Sequence, residues 1–270
     1  MTDLYGVIGH PIAHSKSPII HGQFAEQTQQ NIEYMAFDVA PEDLRTELQR
    51  FVEEGFKGLN VTVPHKSTVI DLLDELSDRA DLAGAVNTIS IDADARLSGE
   101  NTDGAGLIRD LQENLEISLA GLQILVLGAG GATRGIVPVL LEAEPKKVLI
   151  ANRTQDKARL LADEFSALGK LSSCAFDELG GQRFDLIINA TSAGLDGSVP
   201  PFPGSIISPE VICYDLSYAM SDTPFISWAR QLGAERAHQG WGMLIEQAAE
   251  SFFIWRGVRP DTRPVRVHLP

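Results

Sequence analysis

The stretch Gln123-Ile124-Leu125-Val126-Leu127-Gly128-Ala129-Gly130-Gly131-Ala132-Thr133-Arg134-Gly135 restricts most strongly what this chain can fold into. An apolar run long enough for one buried strand meets a glycine-rich turn, and helix-compatible residues follow at once. Glycine lets the backbone turn sharply and approach a pyrophosphate closely, while the start of the next helix supplies oriented N–H donors. The spacing predicts a strand–turn–helix that binds a dinucleotide through Gly128, Ala129, Gly130, Gly131 and Ala132. The match to G-x-G-x-x-G is imperfect, because Thr133 stands where the sixth position asks for Gly or Ala.

The end of the following strand discriminates between cofactors. A chain that binds NAD carries an acid there, about 20 residues further on, to hold the ribose 2′-hydroxyl. This chain has Asn152-Arg153-Thr154, with Lys157 one turn later. Arg153 and Lys157 suit a 2′-phosphate, with hydroxyl and amide donors beside them. NADP(H) is therefore the expected cofactor.

Strand-like and helix-like segments alternate throughout, with no repeat and no low-complexity tract. Strands are expected at 5–9, 32–39, 58–63, 86–91 and 96–99, and helices at 17–28, 43–54, 64–76 and 104–115. A second series follows, with strands at 123–127, 147–151, 185–189 and 211–215 joined by helical segments, which predicts βαβ units and a parallel sheet. The Pro- and Gly-rich stretch 195–204 is expected as a loop, and 241–256 as a long closing helix. At 270 residues two domains are expected. No linker marks the boundary, which falls near 101–104, and pattern alone leaves the last helix open to either half.

Composition removes several function classes. The formal charge is −15, from 37 acidic residues against 22 Lys and Arg, which argues against nucleic acid and against anionic membrane surfaces. No run approaches the roughly 18 apolar residues of a membrane span, and residues 1–17 show no basic-then-apolar leader. A soluble, cytoplasmic protein is expected. Cys174 and Cys213 have neither zinc nor disulfide spacing, and the six histidines show no HExxH pattern. No metal is expected, so any carbonyl polarisation falls to a protein cation.

The N-terminal half supplies one. Asn60-Val61-Thr62-Val63-Pro64-His65-Lys66 turns Asn60 and Thr62 to the same side of a strand. It then places Lys66 in the first turn of the expected helix, where the dipole disfavours cations. His14-Ser15-Lys16-Ser17-Pro18 brings Ser15 and Ser17 to a helix start, where one is an ordinary cap and both together suit a carboxylate. Asn87-Thr88 ends another apolar region. Asn101-Thr102-Asp103-Gly104 leads into a helix, with Asp103 as its cap on local grounds.

Together these blocks resemble the shikimate dehydrogenase family. The resemblance extends through Gly9–Pro18, Ala83-Gly84-Ala85-Val86-Asn87-Thr88, Asn189-Ala190-Thr191-Ser192 and 240–247, and so covers nearly the whole chain. It implies an α/β fold of two domains, an N-terminal α/β substrate domain and a Rossmann-like doubly wound dinucleotide-binding domain. The first would comprise 1–102 plus 241–270, the second 103–240. It also implies reversible, NADP-dependent reduction of 3-dehydroshikimate to shikimate in aromatic amino-acid biosynthesis, by a monomer or homodimer. Lys66 would be the catalytic lysine and Asp103 the partner that orients it. Ser15 and Ser17 would hold the substrate carboxylate. Asn60, Thr62, Asn87, Asp103 and Gln247 would read the ring hydroxyls, with Tyr218 nearby. Ala190, Thr191, Gly240 and Met243 would border the nicotinamide.

Three positions depart from the family pattern: His10, Trp241 and Lys157. The nearest rival, a dual quinate/shikimate dehydrogenase using NAD, is disfavoured by Arg153-Thr154. A folate-linked dehydrogenase would leave the serine pair without purpose, and a non-catalytic nucleotide sensor would leave Lys66 and Asp103 without one.

Overall fold

The computed structural model describes residues 2–191 and 201–268, which form two compact units. Ser192 and residues 195–200 of the expected loop lie outside the described residues. The chain builds most of unit 1 first (1–107), passes into unit 2 (108–243), and returns to unit 1 for 244–269. The sequence-based divisions at 102/103 and 240/241 lie a few residues away, because each passage occurs within a helix, where composition does not change.

Unit 1 is assembled from β1 (Asp3–Gly9), α1 (Ser17–Thr28), β2 (Ile32–Asp38), α2 (Leu44–Glu53), β3 (Gly58–Val61), β4 (Glu75–Leu76), α3 (Asp78–Ala83), β5 (Thr88–Ile91), β6 (Leu97–Glu100) and the start of α4 (Asp103–Arg109). Its sheet order is β2-β1-β3-β5-β6-β4. β1 runs parallel to β2 and β3, whereas β5 is antiparallel to β3 and to β6. The helix expected over 64–76 is absent. A turn carries the chain through 63–67, a short 3₁₀ helix follows at Thr68–Leu72, and β4 pairs with β6. The Asp74 and Ser77 amides donate to Leu97 and Gly99 carbonyls rather than to a preceding turn. Sheet hydrogen bonds thus replace the helical ladder that the apolar spacing suggested.

Unit 2 contains β7 (Gln123–Leu127), α5 (Gly131–Glu142), β8 (Lys147–Asn152), α6 (Gln155–Glu164), β9 (Leu171–Ala175), β10 (Leu186–Asn189), β11 (Ile212–Asp215), α7 (Pro224–Gln231) and β12 (Arg236–Gln239). All six strands are parallel, in the order β9-β8-β7-β10-β11-β12. This is the doubly wound order, whose winding reverses between β7 and β10 and opens a crevice at their carboxyl ends. Strands β9 and β12 were not anticipated. Their side chains are largely polar and partly exposed, so backbone pairing to β8 and β11 defines them.

The closing helix α8 (Trp241–Arg256) and then α9 (Arg263–His268) follow. Ala248, Ala249 and Phe252 of α8 form one apolar cluster with Ile20 and Phe24 of α1 and Val265 of α9. Phe24 and Phe252 are fully buried there, each stabilising the fold by about 1.5–3 kcal/mol.

Candidate functional site

Lys66 owes its position to a turn rather than to a helix. His65, fully buried, bonds the Val39 carbonyl through Nε2 at 2.7 Å, and the Val86 amide donates to the Lys66 carbonyl at 2.7 Å. The expected conflict with a helix dipole is therefore absent. The Lys66 ammonium donates to Asp103 Oδ2 at 2.5 Å. The pair is only partly screened from solvent, with the two side chains 31% and 12% exposed.

Asp103 is free for this contact because it does not cap α4. The Asn101 side-chain oxygen accepts from the Asp103 amide at 3.0 Å, while Asn101 Nδ2 donates to the Ala85 carbonyl. The second Asp103 oxygen accepts from Asn87 Nδ2 at 2.8 Å. Asn87 in turn accepts from the Thr102 amide and the Thr88 hydroxyl, and its Nδ2 also reaches Thr102 Oγ1 and, at 3.3 Å, Gln247 Oε1. A network of amides and hydroxyls thus holds the carboxylate that holds the ammonium.

Asn60 extends that network. Its Nδ2 donates to the Asn87 carbonyl and to Thr88 and Ser251 hydroxyls, and its Oδ1 accepts from Tyr34 at 2.7 Å. Both amide hydrogens are engaged, so any further bond to Asn60 must be accepted by Oδ1, which also faces the His21 ring. Ser17 is buried and bonds the Tyr34 phenol, and the Ser17 amide donates to Ser15 Oγ at 3.3 Å. Lys16, not a serine, is the N-cap residue of α1, and it makes no side-chain cap. Thr62, half-buried, follows β3 and donates its amide to the Ile8 carbonyl. Tyr34, Thr88, Thr102 and Ser251 were not singled out from the sequence. Only Thr102 and Thr88 lay in recognised motifs, and Ser251 could have been reached as the residue four beyond Gln247 on one helix face.

In unit 2 the glycine turn sits where the winding reverses. Gly128 has φ +106°, and a Cβ there would come 3.0 Å from the Ala190 carbonyl oxygen, so only glycine fits comfortably. The Gly128 amide donates to Ala151 and the Ala190 amide to Leu127, tying the ends of β7, β8 and β10 together. Thr133, fully buried, donates its hydroxyl to the Gly128 carbonyl at 3.0 Å. Gly130 and Gly131 differ: among the described residues, neighbouring backbone aside, no atom lies within 4 Å of a Cβ built on either. Nothing among the described residues demands glycine there. The open space above the first N–H groups of α5 fits a pyrophosphate.

Arg153, Thr154 and Lys157 are exposed at the end of β8, and the Asn152 side chain donates to the Thr154 carbonyl at 2.9 Å. Among the described residues the Arg153 and Lys157 side chains have no acidic partner, unlike Arg134, which is paired with Glu164. At the ends of β11 and β12, the Gly240 amide donates to Ser217 and the Tyr218 ring lies 4.5 Å from that of Trp241. Burial pushes the Tyr218 phenol up. The Met243 amide donates to the Tyr214 phenol oxygen, which itself donates to Asp110 Oδ2 at 2.6 Å. Tyr218, Gly240 and Met243 thus belong to unit 2, whereas Gln247, one turn further along α8, belongs to unit 1. Among the described residues no cluster of His, Cys, Asp and Glu could hold a metal ion, and no helix is long and apolar enough to cross a membrane.

Comparison with known proteins identifies the family. Residues 7–89 match the family model for the shikimate dehydrogenase substrate-binding domain, 110–195 that for shikimate/quinate 5-dehydrogenase, and 240–266 that for the shikimate 5′-dehydrogenase C-terminal domain. A shikimate dehydrogenase (NADP(+)) of Methylococcus capsulatus is 52% identical over 97% of this chain and 94% of its own. The crystal structure of an Ael1 enzyme from Pseudomonas putida superposes with a TM-score of 0.94 at 44% identity, covering 99% of this chain and 98% of the other. That of shikimate 5-dehydrogenase from Thermus thermophilus in complex with NADP(H) and shikimate gives 0.87 at 35% identity, covering 97% and 96%. On these matches, and on the residues that carry them, the chain belongs to the shikimate dehydrogenase family.

Proposed function

We propose that this protein is an NADP-dependent shikimate dehydrogenase that interconverts 3-dehydroshikimate and shikimate. The observation that carries the reading is the Lys66–Asp103 contact at 2.5 Å, set in a network of hydroxyl and amide groups suited to a polyhydroxylated acid. The curated relatives bear the same name and the same cofactor. When bound, the reduced cofactor supplies a hydride to the ring ketone.

The protein's own groups supply the rest. Lys66 holds a proton on Nζ and delivers it to the oxygen on which negative charge develops, so no metal is required there. Asp103 accepts one of the ammonium hydrogens, which aims the others. Gln247 and the Asn60 oxygen accept from ring hydroxyls, while Ser15, and Ser17 once its hydroxyl turns from the Tyr34 oxygen, donate to the carboxylate. Arg153 and Lys157, which have no acidic partner among the described residues, take the 2′-phosphate, which separates this reading from an NAD-using quinate/shikimate dehydrogenase. The acidic surface agrees with a protein that does not bind nucleic acid, and the cytoplasm is the compartment assigned.

The test is an assay with shikimate and with quinate, each with NADP and with NAD. Shikimate with NADP should be the preferred pair, and Lys66→Ala should lower kcat by about 10²–10⁴ while shikimate still binds. Absence of cofactor reduction with either acid would overturn the enzymatic reading. Near-normal turnover of Lys66→Ala would overturn the role of the lysine.

A further inference from the structure

Beneath the cofactor residues lies a carboxylate that the proposed chemistry does not use. Asp215, the last residue of β11, is fully buried. It accepts from Asn189 Nδ2 at 3.0 Å, from the Thr223 hydroxyl at 2.6 Å and from the Ser217 amide at 3.1 Å. Burial pushes its carboxyl up, against the three hydrogen bonds that favour the ionised form. A buried carboxylate held by neutral donors alone is costly relative to an apolar residue, so what it organises matters.

What it organises is a direction. A carboxylate can only accept, so the Asn189 amide must turn its Nδ2 toward Asp215, and the two ends of that amide are not interchangeable. Asn189 Oδ1 then faces Thr191, accepting from its amide at 3.2 Å and from its hydroxyl at 2.8 Å. The Thr191 hydroxyl hydrogen is therefore consumed inside the protein, and what the side chain presents outward is a lone pair. Thr191 stands beside the glycine turn: its Cγ2 would lie 3.3 Å from a Cβ on Gly128. This is the crevice between β7 and β10 where doubly wound sheets bind their ligands.

Resting on the NADP reading above, we propose that Asp215 is a positioning residue for the cofactor. Acting through Asn189, it holds the Thr191 hydroxyl as a hydrogen-bond acceptor for an N–H or O–H donor on the nicotinamide half of NADP(H). The same carboxylate, through Ser217 and Thr223, fixes the chain that follows β11, so one buried charge sets two borders of the crevice.

The test is fluorescence titration of NADPH without substrate, alongside KM values and melting temperatures. Asp215→Leu removes the acceptor that fixes the Asn189 amide, and Thr191→Val removes the acceptor offered to the cofactor while keeping the packing on Gly128. Each should weaken NADPH about tenfold, the worth of one mis-set hydrogen bond, with shikimate KM changed less than twofold. The double variant should be no weaker than either single one. Asp215→Asn, by contrast, can keep an oxygen on Asn189 Nδ2 and the Ser217 amide with its own Nδ2 toward the Thr223 hydroxyl, and should stay within about threefold of the wild type. A merely structural aspartate would show a lower melting temperature in Asp215→Leu with NADPH affinity unchanged. Unchanged NADPH affinity in Thr191→Val overturns the proposal even if Asp215→Leu does not fold, as does full additivity of the two losses. A wild-type protein that binds no NADPH would instead overturn the cofactor reading itself.

Discussion

The hydroxyl of Thr133 closes the glycine turn from within, donating to the carbonyl of Gly128 five residues earlier at 3.0 Å with no exposure to solvent. The residue that breaks the usual fingerprint thus does by hydrogen bonding what a small side chain does by close packing. Thr133→Val keeps the shape and leaves the Gly128 carbonyl without this donor. Urea unfolding should show a loss of about 1–3 kcal/mol, and NADPH affinity should fall in parallel. Unchanged values for both would mean that the bond contributes nothing.

Gly131 separates the needs of the protein from those of its ligand. Because no atom among the described residues crowds a Cβ there, Gly131→Ala should raise stability by about 0.4–1 kcal/mol through the unfolded chain. The same methyl would occupy the space over the start of α5, so NADPH affinity should drop at least tenfold. Thermal melts and fluorescence titration on one sample would reveal the opposite signs.

Arg153 should govern the choice between phosphorylated and unphosphorylated cofactor. Arg153→Ala removes a charge-assisted contact worth about 1.5–3 kcal/mol, a 10- to 100-fold rise in KM for NADP. KM for NAD should change little, so the ratio of the two specificity constants is the informative quantity. A parallel loss with both cofactors would point to disruption of the loop after β8 instead.

His21 makes stability depend on acid. It is fully buried against the rings of Tyr34, Phe24, Phe252 and Trp255, and burial pushes it down to about 3. The ring is neutral in the folded protein and takes up its proton only on unfolding once the pH is below about 6.5. Stability present above pH 6.5 is therefore lost as the pH falls toward 3, at up to about 1.4 kcal/mol per unit. His21→Leu should flatten this part of the curve in urea titrations across pH 7 to 4. An unaltered slope would assign the acid sensitivity to other groups.

The glycine turn, the polar ends of β3 and β5 and the Arg153 position were legible in the sequence because each is a local pattern with its own chemistry. Residues 64–76 were misread for a physical reason. Val69, Ile70, Leu72, Leu73 and Leu76 satisfy helical spacing, yet the amides of Asp74 and Ser77 find partners on β6. Strands β9 and β12 carry too few buried apolar residues to show alternation, and only their neighbours in the sheet make them strands. Tyr34 and Ser251 were missed because their roles come from contacts 26 and 191 residues away. No local period reports such contacts.

The return of α8 to the first unit has a consequence for biosynthesis. Ile20 and Phe24 are made early, but their apolar neighbours Ile245, Ala248, Ala249 and Phe252 leave the ribosome after every strand of the second sheet. The nucleotide-binding unit is contiguous and can close as it emerges, whereas the unit that contains the amino terminus must wait for the final helices. Vectorial translation, which ordinarily favours folding from the N-terminal domain onward, is thus inverted here: the segment translated first is the last to be sealed. Until then it exposes the α1 face that α8 will cover, a surface open to chaperones.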